Sequence, residues 1–361
     1  MNKNTTNGVK RILIVRFSAM GDVAMLVPVV HALARQYPET RITVLTKQID
    51  APLFSFAPAN VEALGIDLKQ YAGIVGLEHL YGQLAKRRFD LVADMHDVLR
   101  TKYLRTRFRM ARTRVEVIDK GRADKKQLIG HGQDGEWLPT STDRYVDVLK
   151  RLGYALKLDP RDVIKPDKAD FAPINKVVGF KTPGSVWVGI APFAAHEGKV
   201  YPIEQMRRVV ELLAEKDWKV FLFGAGAKER NVLETWEEIP GVQSVCGRLG
   251  GLHNEILLMA QLDVMVAMDS ANMHIASLTG TTVVSVWGAT HPKMGFLPKN
   301  QNRDNCVEID DLDCRPCSVY GNKPCAYGDF RCLTRIRPED IAARCQQVVD
   351  RARNAAHTAQ A

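Results

Sequence analysis

No run of eighteen apolar residues occurs anywhere in the 361-residue chain, which excludes an ordinary membrane-spanning helix. The opening MNKNTTNGVK is polar and lacks the apolar stretch of a secretion signal, so a cytoplasmic protein is expected. Thiols stay reduced there, and the seven cysteines therefore do not imply a disulfide framework. Low-complexity tracts are also missing, and 46% hydrophobic with 25% charged residues is an ordinary globular composition. At about twice the usual domain length, the chain is expected to form two domains.

Negative charge falls short of positive in one half only, because that half has more basic residues. Residues 1–175 hold 29 Lys+Arg against 20 Asp+Glu, and residues 176–361 hold 21 against 21, so the whole formal charge of +9 lies in the first half. Within it, residues 100–126 carry eleven basic and three acidic side chains. Such a segment meets an anionic partner, and Arg100, Lys102 and Arg105 are candidates for that contact. Nucleic acid is disfavoured as the partner, because only Tyr103 and Phe108 offer aromatic faces in this segment and no DNA- or RNA-binding module is present.

Apolar runs of strand length alternate with amphipathic runs of helix length, the pattern of an α/β fold with parallel sheets covered by helices. Strands are predicted at 11–17, 41–46, 73–77 and 90–95, with helices at 22–36, 78–88 and 97–110. A Pro-, Asp- and Lys-rich zone at 155–185 reads as a linker, after which strands are predicted at 186–192, 219–224, 242–246, 263–269 and 281–288. The expected division is 1–175, 176–337 and a closing helix and tail at 338–361. Two doubly wound domains facing a cleft would bind ligands beyond the carboxyl ends of their strands.

At the first such end, FSAMGD (17–22) lacks the Gly-x-Gly-x-x-Gly of a dinucleotide site, which argues against a nicotinamide oxidoreductase. Asp22 has two readings: a carboxylate stabilised by the helix dipole, or a catalytic base facing the cleft. In the second half, AMDSANMH runs a strand into Asp269 and Ser270 at a helix start. The backbone N–H groups around Ser270, Ala271 and Asn272 suit a diphosphate, or Asp269 and Ser270 are an ordinary helix cap. His274 reads as structural. Lys199, in a loop after a strand, could neutralise a leaving diphosphate, and Glu229 could accept from ribose hydroxyls. Cys314, Cys317, Cys325 and Cys332 begin with a CxxC spacing compatible with structural zinc, but the second pair is too widely spaced for a standard ribbon.

SAMGDVAMLVPVVHAL, the Lys199 loop and MDSANMHIASLTGTTVVSVWGAT, in this order, resemble the ADP-heptose:lipopolysaccharide heptosyltransferases of glycosyltransferase family nine. The resemblance implies a GT-B fold, with an ADP-heptose donor in the C-terminal domain. It also implies an anionic Kdo- or heptose-bearing lipid A acceptor at the N-terminal domain, on the cytoplasmic face of the inner membrane. Asp22 matches the family's general base, Lys199 its phosphate-contacting lysine, Glu229 its ribose-side acid, and Asp269 with Ser270 its donor loop. Ser18 falls in the motif beside the acceptor. No catalytic cofactor is implied. Ala271 stands where glycine is usual, and GATHP (288–292) replaces a common Gly-Pro-Thr-Asp-Pro, so a related transferase using another nucleotide sugar is the alternative. A basic, non-catalytic nucleic-acid binder is the alternative from a different class.

Overall fold

Strands buried on both faces read as continuous apolar runs, and the central strands of the two sheets are of this kind. The computed structural model describes residues 10–131, 134–159 and 163–360. Most of the polar leader and residues 160–162 of the expected linker lie outside the described residues.

One compact unit comprises residues 1–120 and 141–159, the other 121–140 and 160–361. Residues 121–131, 134–140 and 163–175, expected in the first domain, group with the second unit. The first unit holds β1 (Arg11–Val15), β2 (Arg41–Lys47), β3 (Val61–Ile66), β4 (Leu91–Asp94) and β5 (Arg114–Val117), all parallel in the order β3-β2-β1-β4-β5. Its helices are α1 (Met20–Gln36), α2 (Gly73–Ala85), α3 (Leu99–Met110) and, after the second unit's short α4 (Arg122–Gln127), α5 (Ser141–Arg151). The amphipathic α5 lays Tyr145, Val148 and Leu149, all fully buried, against α1.

The second unit holds β6 (Trp187–Ala191), β7 (Lys219–Leu222), β8 (Val242–Ser244), β9 (Val264–Met268), β10 (Thr282–Val286) and β11 (Cys306–Val307), ordered β11-β10-β9-β6-β7-β8. Helices α6 (Ala172–Val178), α7 (Ile203–Ala214), α8 (Gly226–Thr235), α9 (Leu252–Met259), α10 (Ala271–Leu278) and α11 (Arg331–Thr334) precede the long α12 (Pro338–Gln360). The closing helix α12 packs on α7 and buries Ile341, Cys345, Val348 and Val349 in this unit's core.

One expected strand is corrected. GIVGL (73–77) begins α2, and β3 takes the sheet position beside β2. A short apolar run does not distinguish strand from helix by period, and here it is not buried: Ile74 is 73% and Val75 85% exposed. β5, whose RVEV alternates charged and apolar residues, and the two-residue β11 were not anticipated. Among the described residues no helix is long and apolar enough to cross a membrane.

Candidate functional site

In the first unit the chemistry gathers where β1 and its neighbour β4 end. Asp22 lies in the first turn of α1, and its Oδ2 accepts from the Ala19 N–H at 3.2 Å and pairs with the Arg16 guanidinium at 2.6 Å. The helix-cap reading therefore describes part of what this carboxylate does. Both contacts fall on Oδ2, so Oδ1 is without a partner among the described residues. The surroundings are rigid: Arg16 also donates to the Met95 carbonyl at 2.5 Å, and the buried Tyr145 hydroxyl donates to the Asp22 carbonyl at 3.1 Å.

His96, just past β4, was not singled out by sequence, although DMHD after a strand end was a legible signal. The Phe17 N–H can only donate, and it reaches His96 Nδ1 at 3.5 Å, so the ring proton sits on Nε2. Nε2 then donates to Ser18 Oγ at 3.2 Å. Ser18 is half-buried, and its own proton is left to donate to a further oxygen. Burial, then the charges of Arg16 and Lys120, push the His96 pKa down to about 3. The imidazole is neutral at physiological pH and serves as a fixed donor.

The basic helix α3 is divided in use. Arg105 holds Asp94 at 3.0 Å and Asp97 at 2.8 Å, bracing the end of β4. Arg100 is half-buried and Lys102 exposed, one turn earlier. Neither aromatic of this segment offers a free face and edge: Phe108 is buried, and the Tyr103 hydroxyl is bound to Glu78 at 2.6 Å.

In the second unit, three adjacent strands deliver three groups to one point. Asp269 follows β9, Lys199 follows β6 and Thr290 follows β10. Asp269 Oδ2 receives Lys199 Nζ at 2.9 Å and the Thr290 hydroxyl at 2.7 Å. Burial alone would raise the Asp269 pKa, but the Lys199 charge and the two hydrogen bonds outweigh it and hold the group below the usual carboxylate range. Thr290 belongs to the GATHP run that departs from the family pattern.

The Lys199 loop is clamped by close backbone approach. Ala289 N–H donates to the Gly198 carbonyl at 2.8 Å, and a Cβ on Gly288 would lie 2.6 Å from that same oxygen. Gly321 has φ +72°, and a Cβ there would meet Lys199 Cγ at 2.8 Å. The cysteine-bearing segment contributes through Arg315, which is buried and donates to the carbonyls of Gly288 at 2.6 Å and Thr290 at 2.9 Å while pairing with Glu308 at 2.8 Å. All seven cysteines are free thiols. Burial, with repulsion from neighbouring thiolates, pushes Cys317 up; Cys332 rises to about 11, chiefly through burial. Among the described residues no group of three or more His, Cys, Asp or Glu is placed to hold a metal ion.

Ser270 caps α10 without a side-chain hydrogen bond to the helix, and its buried Oγ has no partner among the described residues. Ala271 and Asn272 follow as the first helical residues, half-buried. A helix N-terminus with an orphaned buried hydroxyl suits an anion. Glu229 Oε2 accepts from the Ala225 N–H at 2.7 Å, capping α8.

Two outcomes follow from these contacts. Lys199→Met strands a buried carboxylate and should lower stability by about 3–5 kcal/mol, read by denaturant unfolding. Because Asp269 is depressed, the stability it contributes is present above its unfolded pKa and disappears as pH falls through the folded value; Lys199→Met should lose that dependence. His96 works in the same direction over a higher window. Its folded pKa of about 3 lies below the ordinary 6.5, so the unfolded chain binds the proton first and stability falls as pH drops from 6.5 towards 3. His96→Gln should flatten that stretch of the pH–stability curve while preserving a donor to Ser18.

The model of glycosyltransferase family 9 (heptosyltransferase) matches residues 78–327. The lipopolysaccharide core heptosyltransferase OpsX of Haemophilus influenzae is 24% identical over an alignment covering 84% of this chain and 86% of that one. Among solved structures, a family 9 glycosyl transferase from Veillonella parvula matches with a TM-score of 0.71 at 18% identity, covering 95% of this chain and 98% of that one. The Escherichia coli heptosyltransferase WaaC, solved with ADP, matches at 0.60 and 18% identity, covering 81% and 92%. The structural likeness is one of fold, and that fold is the GT-B architecture of two parallel-sheet domains. With the family model matching well over half of its length, the chain belongs to glycosyltransferase family 9, the heptosyltransferases.

Proposed function

We propose that the protein transfers a heptose from ADP-heptose to the Kdo- and heptose-bearing inner core of lipopolysaccharide, with inversion at the anomeric carbon. The observation that carries the donor half is the orphaned Ser270 hydroxyl at the N-terminus of α10, next in sequence to the Asp269 that holds Lys199. Ser270 and the N–H groups of Ala271 and Asn272 receive the diphosphate, and Lys199, oriented by Asp269, turns its remaining donors to the same oxygens. Positive charge fixed before the reaction stabilises the departing ADP without reorganising. Glu229 accepts from the ribose.

On the acceptor side, Asp22 Oδ1 takes the proton of the attacking hydroxyl while Arg16 holds the other oxygen in place. Ser18, supplied with a hydrogen bond by His96, donates its own proton to an acceptor oxygen. Arg100 and Lys102 meet the acceptor's phosphates or carboxylates, and Arg105 acts by bracing Asp94 and Asp97. The first unit is thus the acceptor domain and the second the donor domain. Zinc has no part in these steps, and metal analysis of the purified protein tests whether the cysteine loop holds a structural ion.

Asp22→Asn should lower kcat by about 10²- to 10⁴-fold and leave ADP-heptose affinity unchanged by calorimetry. Unaltered turnover sinks the assignment of the base. Ser270→Ala should weaken ADP-heptose binding about tenfold, the equivalent of one hydrogen bond to a charged group. Products formed on defined truncated lipopolysaccharides identify the acceptor sugar, and a preference for GDP- or UDP-sugars over ADP-heptose would move the protein to a related transferase.

A further inference from the structure

The large apolar side chains exposed in the first unit are not scattered. Ile49 is 63% exposed, Ile74 73%, Val75 85% and Leu99 85%. Each follows the carboxyl end of a strand: Ile49 after β2, Ile74 and Val75 after β3, Leu99 after β4. In one parallel sheet β2 and β4 flank β1, and β3 lies beyond β2, so all four side chains lie along the rim that carries Ser18 and Asp22. Of the other large apolar side chains exposed in this unit among the described residues, only Met110 lies elsewhere, at the far end of α3.

Helices α2 and α3 run side by side in the same direction, since Glu78 meets Tyr103 and Arg107 and Tyr81 meets Phe108. Their first turns, with Ile74, Val75 and Leu99, are therefore adjacent. An isolated exposed aliphatic residue is ordinary, whereas a contiguous group at one rim marks an interaction surface.

Charge identifies what the surface meets. Lys69, Arg100 and Lys102 lie on the same rim and make no ion pair among the described residues. Most neighbouring acids are held by cations, Asp50 by Lys47, Asp94 and Asp97 by Arg105, Glu78 by Arg107, while Asp67 accepts from the Lys69 N–H at 3.0 Å. Aliphatic side chains flanked by unpaired cations complement an anionic bilayer, the former entering the acyl boundary and the latter meeting headgroup phosphates.

We propose that this rim docks on an anionic bilayer surface, with Ile74, Val75 and Leu99 entering the interface, and so presents Ser18 and Asp22 to a lipid-linked acceptor. The lipid-linked acceptor rests on the function proposed above; the docking itself does not require it. Partition of the full chain into phosphatidylcholine vesicles with and without about a third phosphatidylglycerol tests it. The wild type should bind the anionic vesicles and release them as salt rises. The triple variant Ile74→Ser, Val75→Ser, Leu99→Ser should lose about tenfold or more of that partition while keeping wild-type circular dichroism and turnover on a deacylated, water-soluble acceptor. Failure of the wild type to bind, or equal binding by the triple variant, overturns the proposal. So does a wild-type dimer that the substitutions dissociate without any vesicle binding, because the rim then covers a second copy. Vesicle binding lost in the triple variant, with no heptose transfer by the wild type to any acceptor, supports the surface and removes the functional reading alone.

Discussion

A buried carboxylate is tolerable only when its charge is met, and the second unit is arranged around meeting that of Asp269. Lys199 and Thr290 converge on one oxygen from loops after the two strands that flank β9. The cation proposed to serve a diphosphate is therefore positioned by an anion already in the protein. This costs desolvation of both partners, which only good geometry offsets. The glycine contacts at 198, 288 and 321 and the Arg315 clamp follow from that requirement, since each fixes the backbone from which Lys199 or Thr290 projects.

The first unit solves a related problem with neutral and paired groups. A backbone amide settles the His96 tautomer, the imidazole then fixes the orientation of the Ser18 hydroxyl, and Arg16 occupies one oxygen of Asp22. Parallel strand order makes both arrangements economical, because adjacent strands end at the same edge and their following loops face one another. The same edge carries the apolar rim of α2 and α3. Polar chemistry and the exposed aliphatic surface are thus products of one topological rule.

Much of the fold was legible in the alternation of apolar and amphipathic runs. The error at GIVGL had a physical cause: periodicity reports how apolar a short run is, and not whether anything covers it. Asp22, Lys199, Asp269 and Ser270 could be picked out because they follow strand ends. His96 and Arg315 were passed over because their roles depend on partners 78 and 27 residues away in sequence. Thr290 lay in a run noticed only as a departure, and its hydroxyl acquires meaning only beside Asp269. Arg105 was read as a ligand for the acceptor, and the fold adds that its Nη1 pairs with two nearby carboxylates.

Amino-acid order alone was sufficient for the α/β class, the two-part organisation, the uneven charge and the strand-end positions where chemistry collects. These depend on local periodicity and composition, which a chain carries without folding. Tertiary structure decided which lysine lies on which carboxylate, which histidine nitrogen bears its proton, which hydroxyl is left unpartnered and which apolar residues remain outside. Each of those is set by distances between segments remote in sequence, and by water removed or admitted once they pack.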